Sequence, residues 1–430
     1  MSFTKLFVPY LAVLGVGACT GGDHTGSVTS NLIEDQHDSM QNDRLFKNPG
    51  GFAASASTEG FVDLDNAFFT PQGTNGRHCG TCHAPEDGWG INPGTVTDLF
   101  HITDGLHPIF VNNRDTDTPT CDMSTLEARL ACTTMLRQGK FTRLINMPAT
   151  ATREYDMTAF TDPFGVTILN TRFWFFRRVM PTATFKTAVT NWDNSNGLNN
   201  NVHDGLRNQA RGNISGAQQG PTLALDHPIL HEIADYQLTL GHAQLVVPGV
   251  GRLDDDGAAG GPLNAVNQPL VNAPFDLYDA WETSDNPRRR QIFRGQVLFN
   301  TKTRPNGGGA CRGCHNAANH GGNVANTMFN VGASDAQWAK PDMATFTLVS
   351  RLDGSTVVTT DPGRAVRSGR MADMNRFDTP TLRGLAARAP YFHNGIAADL
   401  PAVISFYEQS LGFDFTDEEA EDLAAFLNAL

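Results

Sequence analysis

Cys79-Gly80-Thr81-Cys82-His83 and Cys311-Arg312-Gly313-Cys314-His315 are the two stretches that decide how this chain is read. Two thiols three positions apart reach the two vinyl groups on one edge of a haem. The adjacent histidine then turns under the ring and ligates its iron. A four-cysteine zinc ribbon rarely spreads its halves so far apart along a chain. A redox dithiol does not explain a histidine directly after both pairs. The sequence therefore predicts two covalently attached haems c, held through Cys79, Cys82, Cys311 and Cys314, with His83 and His315 on the irons.

The chain has 430 residues, enough for two ordinary domains, and a formal net charge of −13. Such acidity repels phosphate backbones and disfavours nucleic acid as a partner. At the N-terminus Lys5 precedes a short apolar run from Leu6 to Val16, too short to span a bilayer. Gly15-Val16-Gly17-Ala18-Cys19 follows it, so residues 1–18 read as an export signal, either lipoprotein-like with Cys19 lipidated or plain. The expected location is the periplasm or cell envelope, with contact to the membrane only through a lipid at Cys19. Of the seven cysteines, Cys121 and Cys132 remain unassigned. In an exported chain they read as a disulfide, the alternative being two buried thiols.

Residues 19–55 are rich in small and polar residues and read as a flexible tether. Helical patterns cover 124–138 and 227–240, the second with Ile229, Ile233, Tyr236 and Leu240 on a core face. Residues 246–274 read as a linker or surface loop. A helix at 286–300, a glycine-rich turn and the second motif follow in the order that opens a small cytochrome c. Thr416 and Glu419 fit a capping box, and Leu423, Phe426, Leu427 and Leu430 form one apolar face of a closing helix. First and last helices of such a domain are expected to pack together.

The runs Thr360-Asp361-Pro362-Gly363-Arg364 and Phe377-Asp378-Thr379-Pro380-Thr381-Leu382-Arg383-Gly384-Leu385-Ala386-Ala387-Arg388-Ala389-Pro390-Tyr391-Phe392-His393-Asn394-Gly395 resemble the bacterial di-haem cytochrome c peroxidase family. That family includes a relative that oxidises tryptophans of a partner protein during methylamine dehydrogenase maturation. The resemblance spans residues 60–430, closer in the second half than in the first. It implies a mainly α fold of two cytochrome c-like helical domains, each with one haem c. The expected bounds are 56–275 for a peroxidatic domain and 276–430 for an electron-transfer domain. It also implies hydrogen peroxide as substrate and a small electron donor, a cytochrome c or a cupredoxin. A calcium ion between the domains is a further implication, without ligands that this sequence fixes.

Individual residues carry over by the same resemblance. Trp192-Asp193 is similar to the element whose tryptophan lies between the haems, a core tryptophan being the alternative. Gln209 resembles the glutamine beside the peroxidatic haem, against a plain helix residue. The acidic residue expected for O–O cleavage is missing, because Gly216-Ala217-Gln218-Gln219-Gly220 stands in its place. His203 and Asp204 lie upstream as substitutes. The family's ligating methionine is also displaced. Met374, then Met371, are the candidates for the second iron, or no methionine at all. His393 reads as a residue supporting that second haem pocket, or as a structural histidine.

Overall fold

A computed structural model describes residues 39–111, 117–118, 121–165, 171–188, 190–197 and 200–430. The export signal, Cys19 and the first half of the expected tether lie outside them. From residue 39 the expected tether is strand instead: β1 Ser39–Gln41, β2 Arg44–Asn48 and β3 Gly51–Ser57, followed by β4 Phe61–Asp63. Its small residues are packing residues, since Ala53, Ala54, Ser55 and Ala56 are all fully buried in β3.

The chain continues with α1 Pro93–Thr103, α2 Leu126–Cys132, α3 Thr134–Arg137, β5 Lys140–Asn146, β6 Tyr155–Thr161 and β7 Arg172–Arg178. Then come α4 Val202–Ser215, α5 Pro228–Thr239, β8 Leu240–Val247, β9 Gly251–Arg252 and α6 Pro262–Asn267. The last part holds α7 Pro287–Thr301, β10 Thr345–Ser350, β11 Thr356–Thr359, α8 Ala365–Ser368, α9 Leu400–Leu411 and α10 Asp417–Asn428.

The expectation of a mainly α fold is overturned. Helix accounts for 33% and strand for 19%, so the architecture is mixed α and β. The sheets are antiparallel: β1–β4, β2–β3–β8–β9, β5–β7 and β11–β10–β6. The cause is visible in the side chains. Thr345–Ser350 alternates between half-buried and buried residues along its length, and Arg172–Arg178 carries four consecutive aromatics. Such residues suit a pleated, half-buried surface. Strand β6 pairs with β10, so a segment before residue 275 and one after it share a sheet. Two of these sheets close around Tyr155, Met157, Phe173, Phe346 and Leu348.

Helices α7 and α10 do pack on each other. Ile292 and Phe299 meet Leu423, Phe426 and Leu427 in one core, and Leu430 joins it. Arg294 grips Asp422 through two hydrogen bonds of 2.6 and 2.7 Å, and Lys302 reaches Glu419 at 2.7 Å. The Thr416–Glu419 capping box is formed. Close approach depends on Gly295, where a Cβ would collide with the Asp422 carbonyl. Gly295→Val is therefore expected to lower stability by about 3 kcal/mol, the upper range for overpacking, read from the denaturant midpoint. An unchanged midpoint would contradict this packing.

Helix α5 presents Ile233 and Tyr236, and β8 begins with Leu240, facing a core that also holds Phe68 and Trp89. The expected helix at 124–138 is two short ones, α2 and α3. The stretch 246–274 is not wholly loop, since it contains β9 and α6. Cys121 and Cys132 form a disulfide. Closing so short a loop contributes about 3 kcal/mol. Among the described residues no helix is long and apolar enough to cross a membrane.

Candidate functional site

Each Cys-x-x-Cys-His motif opens with a single 3-10 turn. At the second, the Cys314 and His315 backbone N–H groups both donate to the Cys311 carbonyl, at 3.2 and 3.1 Å. The turn brings both sulfurs and the imidazole to one side. His315 Nδ1 lies 2.5 Å from the Gly321 carbonyl oxygen. A carbonyl only accepts, so Nδ1 carries the hydrogen and Nε2 keeps a free lone pair. Gly321 makes this possible with φ +84, where a Cβ would also strike Leu382.

The first motif repeats the device. Cys82 and His83 donate to the Cys79 carbonyl, both at 3.1 Å. His83 Nδ1 lies 2.9 Å from the Trp89 carbonyl oxygen. Trp89 sits in the left-handed region at φ 59, fully buried among Phe68, Phe69 and Tyr236. Its indole N–H donates to Ser55 Oγ at 2.9 Å, and Ser55 Oγ lies 3.0 Å from His242 Nδ1. The Trp89 carbonyl also accepts from the Thr182 N–H at 3.1 Å.

Burial lowers both motif histidines to about 4, so each imidazole is neutral near pH 7. Burial pushes the Cys79 and Cys311 thiols up to about 12. Among the described residues no group of three or more His, Cys, Asp or Glu side chains is placed to hold a metal ion.

Cys311, Cys314 and His315 open onto a cavity of about 430 Å³. Its walls are mostly apolar, with Phe299, Leu385, Leu400, Ile404, Leu423 and Leu427 among them. Two sulfurs at the rim, one imidazole with its outer nitrogen tied back, and an apolar slot suit a haem attached by thioether links.

Trp192 lines this cavity, its indole N–H donating to the Arg178 carbonyl at 2.8 Å. Arg178 and Pro181 line it too. The segment 178–182 thus runs from the second cavity to Thr182, which shares an acceptor with His83. Asp193, beside Trp192, is fully buried and bound to Arg177 at 2.6 Å, while Arg177 makes two further bonds to Asp361 at 2.6 and 2.8 Å. His393 lines the cavity, stacks on Phe377 at 3.8 Å, and lies 3.1 Å from Ser334 Oγ.

The methionine expectation meets a different placement. Met374 is buried in the sheet core with Met147, Tyr155, Met157 and Phe173, and Met371 packs against the same cluster. Neither lines the cavity. The cause is the turn 371–373 with Asn375 in the left-handed region, which seats the Met374 side chain between strands.

On the first motif's side, Gln209 is half-buried on α4. Gln218 is the residue that reaches the motif. It is 1% exposed, and its amide nitrogen lies 3.9 Å from Cys79 Sγ and 3.1 Å from Asn213 Oδ1. Its carbonyl accepts from the Gln72 N–H at 2.9 Å. His203 turns to α5, where it lies 2.9 Å from Asp235, and Asp204 pairs with Arg207. The aspartates at 254 and 256 pair with Arg252 and Arg289. Sequence reading missed Trp89, whose signal was its place six residues after the motif histidine.

The arrangement at the second motif fits attachment of a c-type haem. The relatives narrow this. The chain is 35% identical over 176 residues to a cytochrome-c peroxidase of Denitromonas iodatirespirans, covering 37% of this chain and 44% of that one. It is 29% identical over 171 residues to the cytochrome c551 peroxidase of Pseudomonas aeruginosa, covering 39% and 42%. The chain is thus related to the cytochrome-c peroxidases, the family that its own motifs resemble, and a peroxidase-like oxidoreductase is the class these relatives support. The match spans under half the length of these relatives. Among solved structures, a MauG-like protein associated with microbial copper homeostasis matches with a TM-score of 0.36 and 18% identity, over 59% of this chain and 75% of that one. No protein-family model matches.

Proposed function

We propose that the chain is an exported di-haem oxidoreductase that reduces hydrogen peroxide with electrons from a small cytochrome c or cupredoxin. The observation that carries it is the repeated device at both motifs, in which a backbone carbonyl ties down Nδ1 of His83 and His315 and leaves Nε2 for iron. In this reading residues 56–275 form the peroxidatic part and 276–430 the part that receives electrons, with the export signal and a lipid at Cys19 placing the protein in the cell envelope.

Haems bound at the two motifs would supply the one-electron chemistry and the cleavage of the O–O bond. The residues of the chain do the rest. His83 and His315 would hold the irons through neutral imidazoles. Trp89, Phe68 and Tyr236 exclude water on the first motif's side. Gln218 offers an amide for hydrogen bonding but no proton to exchange. Trp192 and the segment 178–182 hold the wall between the second cavity and His83's acceptor.

The test is peroxide turnover by half-reduced protein supplied with reduced cytochrome c. Sustained donor oxidation supports the proposal. Two attached haems with no turnover would defeat the peroxidase reading. Gln218 in the neighbourhood expected of a carboxylate favours a second reading, oxidation of a protein or organic substrate, which would show as peroxide consumption without donor turnover. Two haems inert to peroxide would leave an electron carrier.

A further inference from the structure

Asp378 is a buried carboxyl that the proposed chemistry does not use. It follows Phe377, the residue stacked on His393, and lines the second cavity. The same residue lines a small pocket behind it. It is 7% exposed, and its Oδ2 has no hydrogen-bond partner among the described residues. A buried charged oxygen without a partner costs more than almost any other feature, so the group is protonated or is compensated by charge in the cavity.

The surroundings determine which. On the cavity side the walls carry Arg178, Arg304 and Arg388, and Lys186 lines the small pocket. His315 and His393 on the cavity side and His320 on the other are held neutral near pH 7, lowered by burial to about 4, about 3 and about 4. Tyr391 and Tyr407, also on the cavity wall, are pushed up by burial and stay neutral. The Thr379 backbone N–H donates to the carboxyl and opposes the upward push of burial, which leaves Asp378 at about 8. With no added charge in the cavity the carboxyl is therefore mostly protonated near pH 7, and a positive charge held at His315 would favour the carboxylate.

We propose that Asp378 takes up a proton when an iron held at His315 is reduced, and releases it when that iron is oxidised again. The claim rests on the second haem being held there. An electron arrives from a one-electron reductant and a proton from solvent. Ferric iron becomes ferrous, and the Asp378 carboxylate becomes the carboxylic acid. Reduction removes one positive charge from the cavity and so favours the neutral acid.

The experiment is spectroelectrochemical titration of the full chain between pH 5 and 9, after its covalent haem content has been measured. One of the two haem waves should fall with rising pH, approaching one proton per electron. A tenfold change in proton activity then moves the potential by about 59 mV. Asp378→Asn should flatten that wave, and Asp378→Glu should restore its slope. Reduced-minus-oxidised infrared spectra of the unaltered chain should show a carboxylic acid carbonyl band on reduction, lost in Asp378→Asn. Two attached haems with pH-independent potentials and no such band would overturn this proposal alone, as would a slope that survives in Asp378→Asn. No covalent haem at Cys311 and Cys314 would overturn the parent reading with it.

Discussion

A chain carrying Cys311→Ser and Cys314→Ser is expected to retain one covalent haem instead of two after denaturation, measured as pyridine haemochrome per mole of protein. Loss of the thioether links leaves the second haem held by His315 and packing alone, so it leaves on unfolding. The larger consequence is mechanical. The cavity is about 430 Å³ and its walls are mostly apolar. At roughly 24 cal/mol per Å³, a dry void of that size would cost on the order of 10 kcal/mol, comparable to the whole stability of a domain. Any variant chain that lacks the second haem must therefore flood or collapse there. Hydrogen exchange should report faster opening of α9 and α10, which wall the cavity, and little change in β3 and β8. Two covalent haems in the double variant would refute attachment at this motif.

Arg177→Met is expected to lower stability by about 3–5 kcal/mol at pH 7, because it strands two buried carboxylates. Asp193 and Asp361 both depend on the same guanidinium. Burial pushes the Asp193 carboxyl up, but the Arg177 charge, with Arg143 behind it, outweighs burial and holds it below the usual carboxylate range. A group depressed in the folded state adds stability above its unfolded value. That contribution is lost as pH falls through the folded value. The native chain therefore loses this stabilisation only in strong acid. In the variant burial acts unopposed by Arg177, so protonation relieves the penalty at a higher pH. The gap between the two proteins should narrow from pH 7 toward pH 4 in denaturant titrations. A gap that widens would mean that Arg177 is not what holds Asp193 ionised.

Much of the site was legible because covalent chemistry leaves a fixed spacing. Cys-x-x-Cys-His needs only five residues, and both copies stand where an imidazole can be tied back. Helices α7 and α10, the capping box and the disulfide were legible for the same reason: each is decided by neighbours within a turn or two, or by elimination among few cysteines. The strands were not read, although Thr345–Ser350 alternates plainly. The resemblance supplied a helical template, and the sheets β5–β7 and β11–β10–β6 fall in stretches that its quoted motifs do not cover. Met374 illustrates the cost. Its distance along the chain from His315 suits a ligand, yet an intervening sheet gives it a core to fill instead. Gln218 was noticed only as a missing acid. Its contact with Cys79 depends on how the end of α4 folds back, and no local pattern encodes that.

One oxygen atom has an uncommon duty. The Trp89 carbonyl receives the His83 imidazole and the Thr182 amide together. Electron density that Thr182 draws from that carbonyl is denied to the imidazole, so the donor strength of His83 answers to the backbone that walls the other compartment. A shift of Pro181 when that compartment fills or empties would retune the first centre by way of a single peptide plane.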